Sequence, residues 1–97
     1  MSKLFYLVIY DLPDTQAGNK RRTRLHKLLS GYGTWRQYSV FELYLTAVQF
    51  VKLQQQIEKL IEPVEDSLRI YVLDAGAVRK TLTYGSEKPR QEETIIL

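Results

Sequence analysis

The sequence predicts a two-layer α+β sandwich in which two helices cover one face of a small sheet. Residues 3–12 alternate apolar side chains on both faces, as a central strand does. Two later segments place apolar residues at helical spacing, Leu25, Leu28, Leu29 and Tyr32 in the first and Phe50, Leu53, Ile57, Leu60 and Ile61 in the second. Between and after them lie further alternating runs of strand length, which gives the order strand, helix, strand or hairpin, helix, strand.

In the first strand Phe5, Leu7 and Ile9 share one face, and Leu4, Tyr6, Val8 and Tyr10 the other. Pro13 removes a ladder donor and stops the strand, so Asp11 sits at its carboxyl end, and residues 11–19 carry loop chemistry. The first helix is expected from about Lys20 to Tyr32, ended by Gly31-Tyr32-Gly33. Thr34 to Leu45 alternates without a clear turn, with Trp35, Gln37, Ser39, Phe41, Leu43 and Leu45 on one side. It reads as one bent strand or as a hairpin broken near Phe41 and Glu42. Thr46 and Gln49 form a capping-box pattern at the start of the second helix, which Pro63 closes. Glu65-Asp66-Ser67 is a polar turn, Leu68 to Asp74 a strand, and Ala77 to Tyr84 a short final strand.

This layout fits a ferredoxin-like βαββαβ sandwich with an extra C-terminal strand. Residues 1–84 form the domain, and residues 85–97 a polar tail with an apolar end, Ile95-Ile96-Leu97. Two helices cover only one sheet face. The other face is apolar and points to a homodimer packed through its sheets, a partner that also suits a 97-residue chain with a small core.

Between Thr15 and Phe41 the chain carries Lys20, Arg21, Arg22, Arg24, Lys27 and Arg36 and no acid, although the whole protein holds 11 Asp and Glu. The formal net charge of +3 therefore understates a local basic tract, the footprint of a nucleic-acid partner. Cations in the first turn of a helix oppose its dipole by roughly 0.3–1 kcal/mol each, so Arg21, Arg22 and Arg24 read as phosphate ligands rather than helix stabilisers. The alternative reading is a solvated helix face. Asp11, fixed by a strand end, suits a hard cation such as Mg²⁺ or Mn²⁺, with two Asp11 side chains meeting across a dimer axis. A cap of the turn before Pro13 is the competing role. Ser39 and Tyr10 can bond a phosphate or a metal-held water, and Phe41 can stack on a base, unless these residues serve packing.

The chain has no cysteine, which excludes disulfide scaffolds, thiolate metal sites and cysteine nucleophiles. No apolar run reaches the ~18 residues of a membrane span and no secretory cleavage pattern is present, so a cytoplasmic location is expected. Phosphate-binding glycine loops and helical zinc-binding histidine pairs are missing, and His26 is the only histidine, which leaves no histidine-pair nuclease. The strand Gln37 to Tyr44 does not match the aromatic signature of RNA-recognition sheets.

Tyr10-Asp11 closing an apolar strand, an arginine-rich helix start, the Gly31-Tyr32-Gly33 exit and the run Arg36-Gln37-Tyr38-Ser39-Val40-Phe41-Glu42 resemble the Cas2 family of small CRISPR-associated adaptation proteins. The resemblance spans residues 3 to about 84. It implies a homodimer whose final strand crosses to the partner's sheet, and a complex with the CRISPR integrase in which the dimer spans the DNA to be inserted. It also implies a metal-dependent nuclease acting on single-stranded RNA or double-stranded DNA. Asp11 matches the family's metal-binding catalytic aspartate and Tyr10 its neighbour; Arg22 and Arg24 match the helix-start arginines, with Arg21 an additional cation; Ser39 and Phe41 match the strand motif. Arg36 departs by one position, since Trp35 stands where the related arginine can lie. Two functions follow as expectations: a phosphodiesterase built on Asp11, or a non-catalytic DNA-binding scaffold of the integrase.

Overall fold

The computed structural model describes residues 2–85, so the apolar end at Ile95 to Leu97 lies outside the described residues. The elements are β1 (Lys3–Asp11), α1 (Gln16–Ser30), β2 (Gly33–Gln37), β3 (Val40–Thr46), α2 (Ala47–Leu60), β4 (Ser67–Leu73) and α3 (Ala75–Arg79). The sheet runs β2-β3-β1-β4 with every neighbouring pair antiparallel, the ferredoxin-like arrangement. β1 is central, as its two apolar faces require.

Alternation along β1 sorts its side chains into two environments. Tyr6, Val8, Tyr10 and the following Leu12 point under the helices, where they form the core with Leu25 and Leu29 of α1, Phe41, Leu43 and Leu45 of β3, and Leu53 and Ile57 of α2. Burying each such aliphatic side chain contributes about 1.5–3 kcal/mol. On the other face Phe5, Leu7, Ile9 and Asp11 lie beside Tyr44, Glu42 and Val40 of β3 and Leu73, Tyr71, Arg69 and Ser67 of β4. No long helix covers that face, and Ile9, Tyr44, Tyr71 and Leu73 remain exposed there. A groove of about 860 Å³ runs along it between Phe5, Tyr44 and Leu73 and the chain at Val78 to Thr83, without reaching Asp11.

α1 begins at Gln16, four residues before the expected start. Thr15 is extended and its hydroxyl accepts the Gly18 amide at 3.0 Å, an N-cap that outweighs the turn-forming character of Gly18 and Asn19. Gly18 itself is needed for close approach, because a Cβ there would sit 2.1 Å from the Pro13 carbonyl oxygen. Arg21, Arg22 and Arg24 consequently lie beyond the first turn, and the argument from dipole opposition does not apply to them. The helix ends at Gly31 in an ordinary right-handed conformation, with amides of Gly31 and Tyr32 bonded to Leu28 and Leu29 carbonyls.

The segment after α1 is a hairpin whose turn is at Tyr38 and Ser39, earlier than the break expected near Phe41. Tyr38 takes φ of 36°, which reverses the chain there. Gln37, Ser39 and Phe41 therefore do not share a strand face; Phe41 pairs instead with Trp35 across the hairpin. The capping box at Thr46 forms as expected, with Thr46 and Gln49 exchanging both hydrogen bonds. The short strand expected at Ala77 to Tyr84 is replaced in this single chain by α3, followed by residues 81–84 without strand pairing. Asp74 is the reason: its carboxylate accepts the Ala77 amide at 2.7 Å and starts a helical turn through the alanines.

Candidate nucleic-acid interface

Tyr10 and Asp11 are sequence neighbours on opposite sides of the sheet. Asp11 is exposed on the uncovered face, opposite Ser67 of β4 and next to the Arg69 position on that strand. Tyr10 is buried beneath the helices, with its amide bonded to the Ser39 carbonyl at 3.1 Å and its hydroxyl near the Ser39 side chain. Burial pushes the Tyr10 phenol above its ordinary value, an effect partly offset by the Arg22 charge and the Ser39 side chain. Tyr10 is therefore a neutral phenol at pH 7 that joins β1 to the hairpin turn. Of the expected catalytic group Asp11, Tyr10 and Ser39, only the last two are in contact.

The arginines divide by partner. Arg22 turns back to the strand end, its Nη2 donating to the Leu12 carbonyl at 2.6 Å and the Pro13 carbonyl at 3.4 Å and its Nη1 to the Asn19 side chain. It clamps the two residues that follow Asp11. Arg21, expected among the phosphate ligands, is ion-paired within the fold: Nε and Nη2 grip both carboxylate oxygens of Asp66 at 2.8 and 2.9 Å, and Nη2 also meets Glu65 at 2.9 Å. The Asp66 side chain is fully enclosed and also accepts the Glu62 amide at 2.8 Å. Arg21 holds the Asp66 carboxyl below the usual carboxylate range, and Asp66 in turn raises the Arg21 guanidinium. A partner 45 residues away was not visible in a local charge pattern.

Arg24 is exposed and has no hydrogen bond or ion pair among the described residues, and the same holds for Lys20 and Lys27. Spaced i, i+4, i+7, these three cations make one solvent-facing stripe along α1. Arg36 bonds Glu42 at 2.8 Å on the uncovered face. Glu42 pairs with Leu7, four positions or roughly 13 Å along β1 from Asp11. The structure does not bring Arg36 to the strand end. Phe41, expected to stack on a base, is 0% exposed, packed edge-on to His26 with centroids 5.1 Å apart and stacked with Tyr10. A base cannot reach a ring enclosed on all sides.

Two residues near Asp11 were missed. Arg69 lies opposite Ile9 on the same sheet face and bonds the Tyr71 hydroxyl at 3.1 Å, which raises its already high pKa. Strand alternation separates Arg69 from Leu68 and Ile70, but only the register places it beside β1. Tyr38, 86% exposed at the hairpin turn, is the other.

Among the described residues no group of three or more His, Asp or Glu is arranged to hold a metal ion. Asp14 is exposed and accepts the Asn19 side-chain amide at 3.2 Å. One strand-end carboxylate does not make a protein cage, but it suits Mg²⁺, which keeps several waters and binds through one or two carboxylates plus substrate phosphates. No helix among the described residues is long and apolar enough to cross a membrane.

A sheet open on one face, a lone carboxylate closing its central strand and a basic helix beside it can be compared with known proteins. The family model described as CRISPR associated protein Cas2 matches residues 4–81. The chain belongs to the Cas2 family. The protein named CRISPR-associated endoribonuclease Cas2 1 from Synechocystis sp. is 57% identical over 97% of this chain and 100% of its own length. The CRISPR-associated endoribonuclease Cas2 of Thermus thermophilus is 44% identical over 90% of this chain and 88% of its own. Among solved structures, Streptococcus pyogenes Cas2 superposes with a TM-score of 0.75 at 36% identity, covering 84% of this chain and 99% of that one. A hypothetical protein from Thermus thermophilus gives 0.74 at 33% identity, covering 91% and 98%.

Proposed function

We propose that the chain is an endoribonuclease of a CRISPR system, a homodimeric phosphodiesterase that cuts single-stranded RNA and engages duplex DNA through its basic helix. The observation that carries this reading is the exposed Asp11 carboxylate, held at the end of the central strand while the adjoining loop is clamped by Arg22. The names of the Cas2-family relatives support the RNA substrate. Asp11, with the partner subunit's Asp11 when the uncovered sheet faces pack together, would hold Mg²⁺ or Mn²⁺. Such an ion supplies charge neutralisation at the scissile phosphate and a more acidic attacking water. Arg24, Lys20 and Lys27 bind backbone phosphates, Arg69 adds positive charge on the Asp11 face, and Tyr10 with Ser39 fixes the strand end without taking a proton.

Sheet-to-sheet dimerisation is supported by the exposed Ile9, Tyr44, Tyr71 and Leu73, an apolar area that a monomer would leave in water. A chain that sediments as an 11.4 kDa monomer at micromolar concentration would contradict it. In the cytoplasm the dimer partners the CRISPR integrase in spacer acquisition. The second reading, a non-catalytic scaffold of that complex, is favoured by a single site carboxylate per chain and by arginines bonded within the fold.

Cleavage of labelled single-stranded RNA and duplex DNA by wild type and Asp11→Ala, with Mg²⁺ and with chelator, separates the two after both proteins are shown to fold alike. The nuclease reading expects metal-dependent cutting that disappears in the variant. No cutting by wild type, with salt-sensitive DNA binding kept in both proteins, supports the scaffold instead.

A further inference from the structure

We propose that Tyr38 is the platform on which an unpaired base of a single strand stacks, an inference that rests on the nucleic-acid reading and names the side chain that selects single strands. Three observations converge on it. Tyr38 alone among the described non-glycine residues adopts positive φ, at 36°, a region unfavourable for a bulky side chain where Gly or Asn is preferred. Its ring is 86% exposed, and neither ring nor hydroxyl has a partner among the described residues. Packing and hydrogen bonding in this chain therefore do not explain a tyrosine at a glycine position, and strain of this kind concentrates at functional sites.

The turn is also tied to the end of β1 that carries Asp11. Trp35 Nε1 donates to the Tyr38 carbonyl at 2.9 Å, and the Ser39 carbonyl accepts the Tyr10 amide at 3.1 Å, so the hairpin tip is tied to the residue that precedes Asp11. An exposed aromatic ring on a turn tied to the end of β1, with cations on α1 that have no partner among the described residues, has the parts of a single-strand site: a stacking surface and a phosphate track. A base inside a duplex has both faces covered by its neighbours and does not offer one to Tyr38. Phe41, the aromatic residue expected to stack, is enclosed; Tyr38 presents the ring that Phe41 cannot.

The test is fluorescence anisotropy in chelator, to prevent cutting, with a labelled 12-nucleotide oligouridine and a labelled DNA duplex, on wild type, Tyr38→Gly and Tyr38→Phe. Tyr38→Gly is expected to bind the single strand more weakly by roughly five- to a hundred-fold. It should keep its duplex affinity and melt no lower than wild type, because glycine relaxes the turn. Tyr38→Phe, which keeps the aromatic face, should bind within about two-fold of wild type. Wild-type affinity in Tyr38→Gly overturns the proposal and leaves the nucleic-acid reading intact. Equal weakening for single strand and duplex also overturns it, since the ring would then act on the backbone or on the turn. Failure of wild type itself to bind either probe at low salt removes the nucleic-acid reading and this proposal with it.

Discussion

Replacing Phe41 tests whether this ring belongs to the core or to the nucleic-acid surface. It is 0% exposed, enclosed between α1 and the sheet, and touches the rings of Tyr10 and His26. Truncation to alanine at such a site removes about 3–5 kcal/mol. Domains of this size hold roughly 5–15 kcal/mol in total, so Phe41→Ala would leave a substantial unfolded population and confuse any binding assay. Phe41→Leu is the informative change. It keeps most of the volume, for a loss under about 1.5 kcal/mol, and forfeits the aromatic contacts, worth a further ~0.5–1.5 kcal/mol. The expected sum, about 0.5–3 kcal/mol, lowers the urea midpoint by about 1 M at a typical slope. Urea unfolding should be followed by circular dichroism at one protein concentration, because a dimer's midpoint depends on concentration. Single-strand RNA binding of the folded leucine variant should remain within about two-fold of wild type. A variant that unfolds at the wild-type midpoint yet loses binding would refute the assignment of Phe41 to the core and return it to the interface.

The acid limb of stability should report the ion pair of Arg21 and Asp66. Hydrogen bonding by Arg21, opposed by burial and helped by the Glu62 amide, keeps the folded Asp66 carboxyl below its unfolded value. Its contribution is present above the ordinary carboxylate range and is lost as pH falls through the folded value, from about pH 4 downward. Asp66→Asn should be less stable at pH 7 and lose less on acidification than wild type, measured by thermal midpoints across that window; parallel curves would show that the pair does not matter. Arg24→Ala should weaken oligouridine binding and reduce the magnitude of its salt slope by about 0.7, the share of one phosphate. Arg21→Ala should instead lower the thermal midpoint and leave that slope unchanged, and a reversed pattern would show that the two arginines have been assigned to each other's roles.

Much of the sandwich was legible because local chemistry and burial agree. The double apolar alternation of β1 gave a central strand, and the Thr46 and Gln49 capping box gave the start of α2. Misreadings arose where two local signals competed. Thr15 as a cap won over Gly18 and Asn19 as loop formers, and Asp74 as a cap turned the presumed final strand into α3. The hairpin turn was hidden because it uses tyrosine, not glycine, at positive φ. In the candidate site, Asp11 was visible as a carboxylate where an apolar strand stops. The fates of Arg21 and Arg22 depend on Asp66 and on backbone carbonyls, contacts that exist only once the chain has folded back on itself. Charge counting therefore singled out α1 as basic and could not say which of its cations face outward.

The division of Tyr10 from Asp11 across the sheet has a bearing on how β1 finds its register. Through Ile9 the strand offers apolar side chains to both sides, so hydrophobicity alone discriminates poorly between the native alignment and a slip by one residue. The last two residues remove that ambiguity. A slipped strand would drive the Asp11 carboxylate among Leu25, Leu29 and Phe41, where an unpaired charge is strongly disfavoured, and would separate the Tyr10 hydroxyl from Ser39. The carboxylate proposed to serve catalysis thus also acts during folding, as the mark that tells an otherwise two-faced strand which side is out.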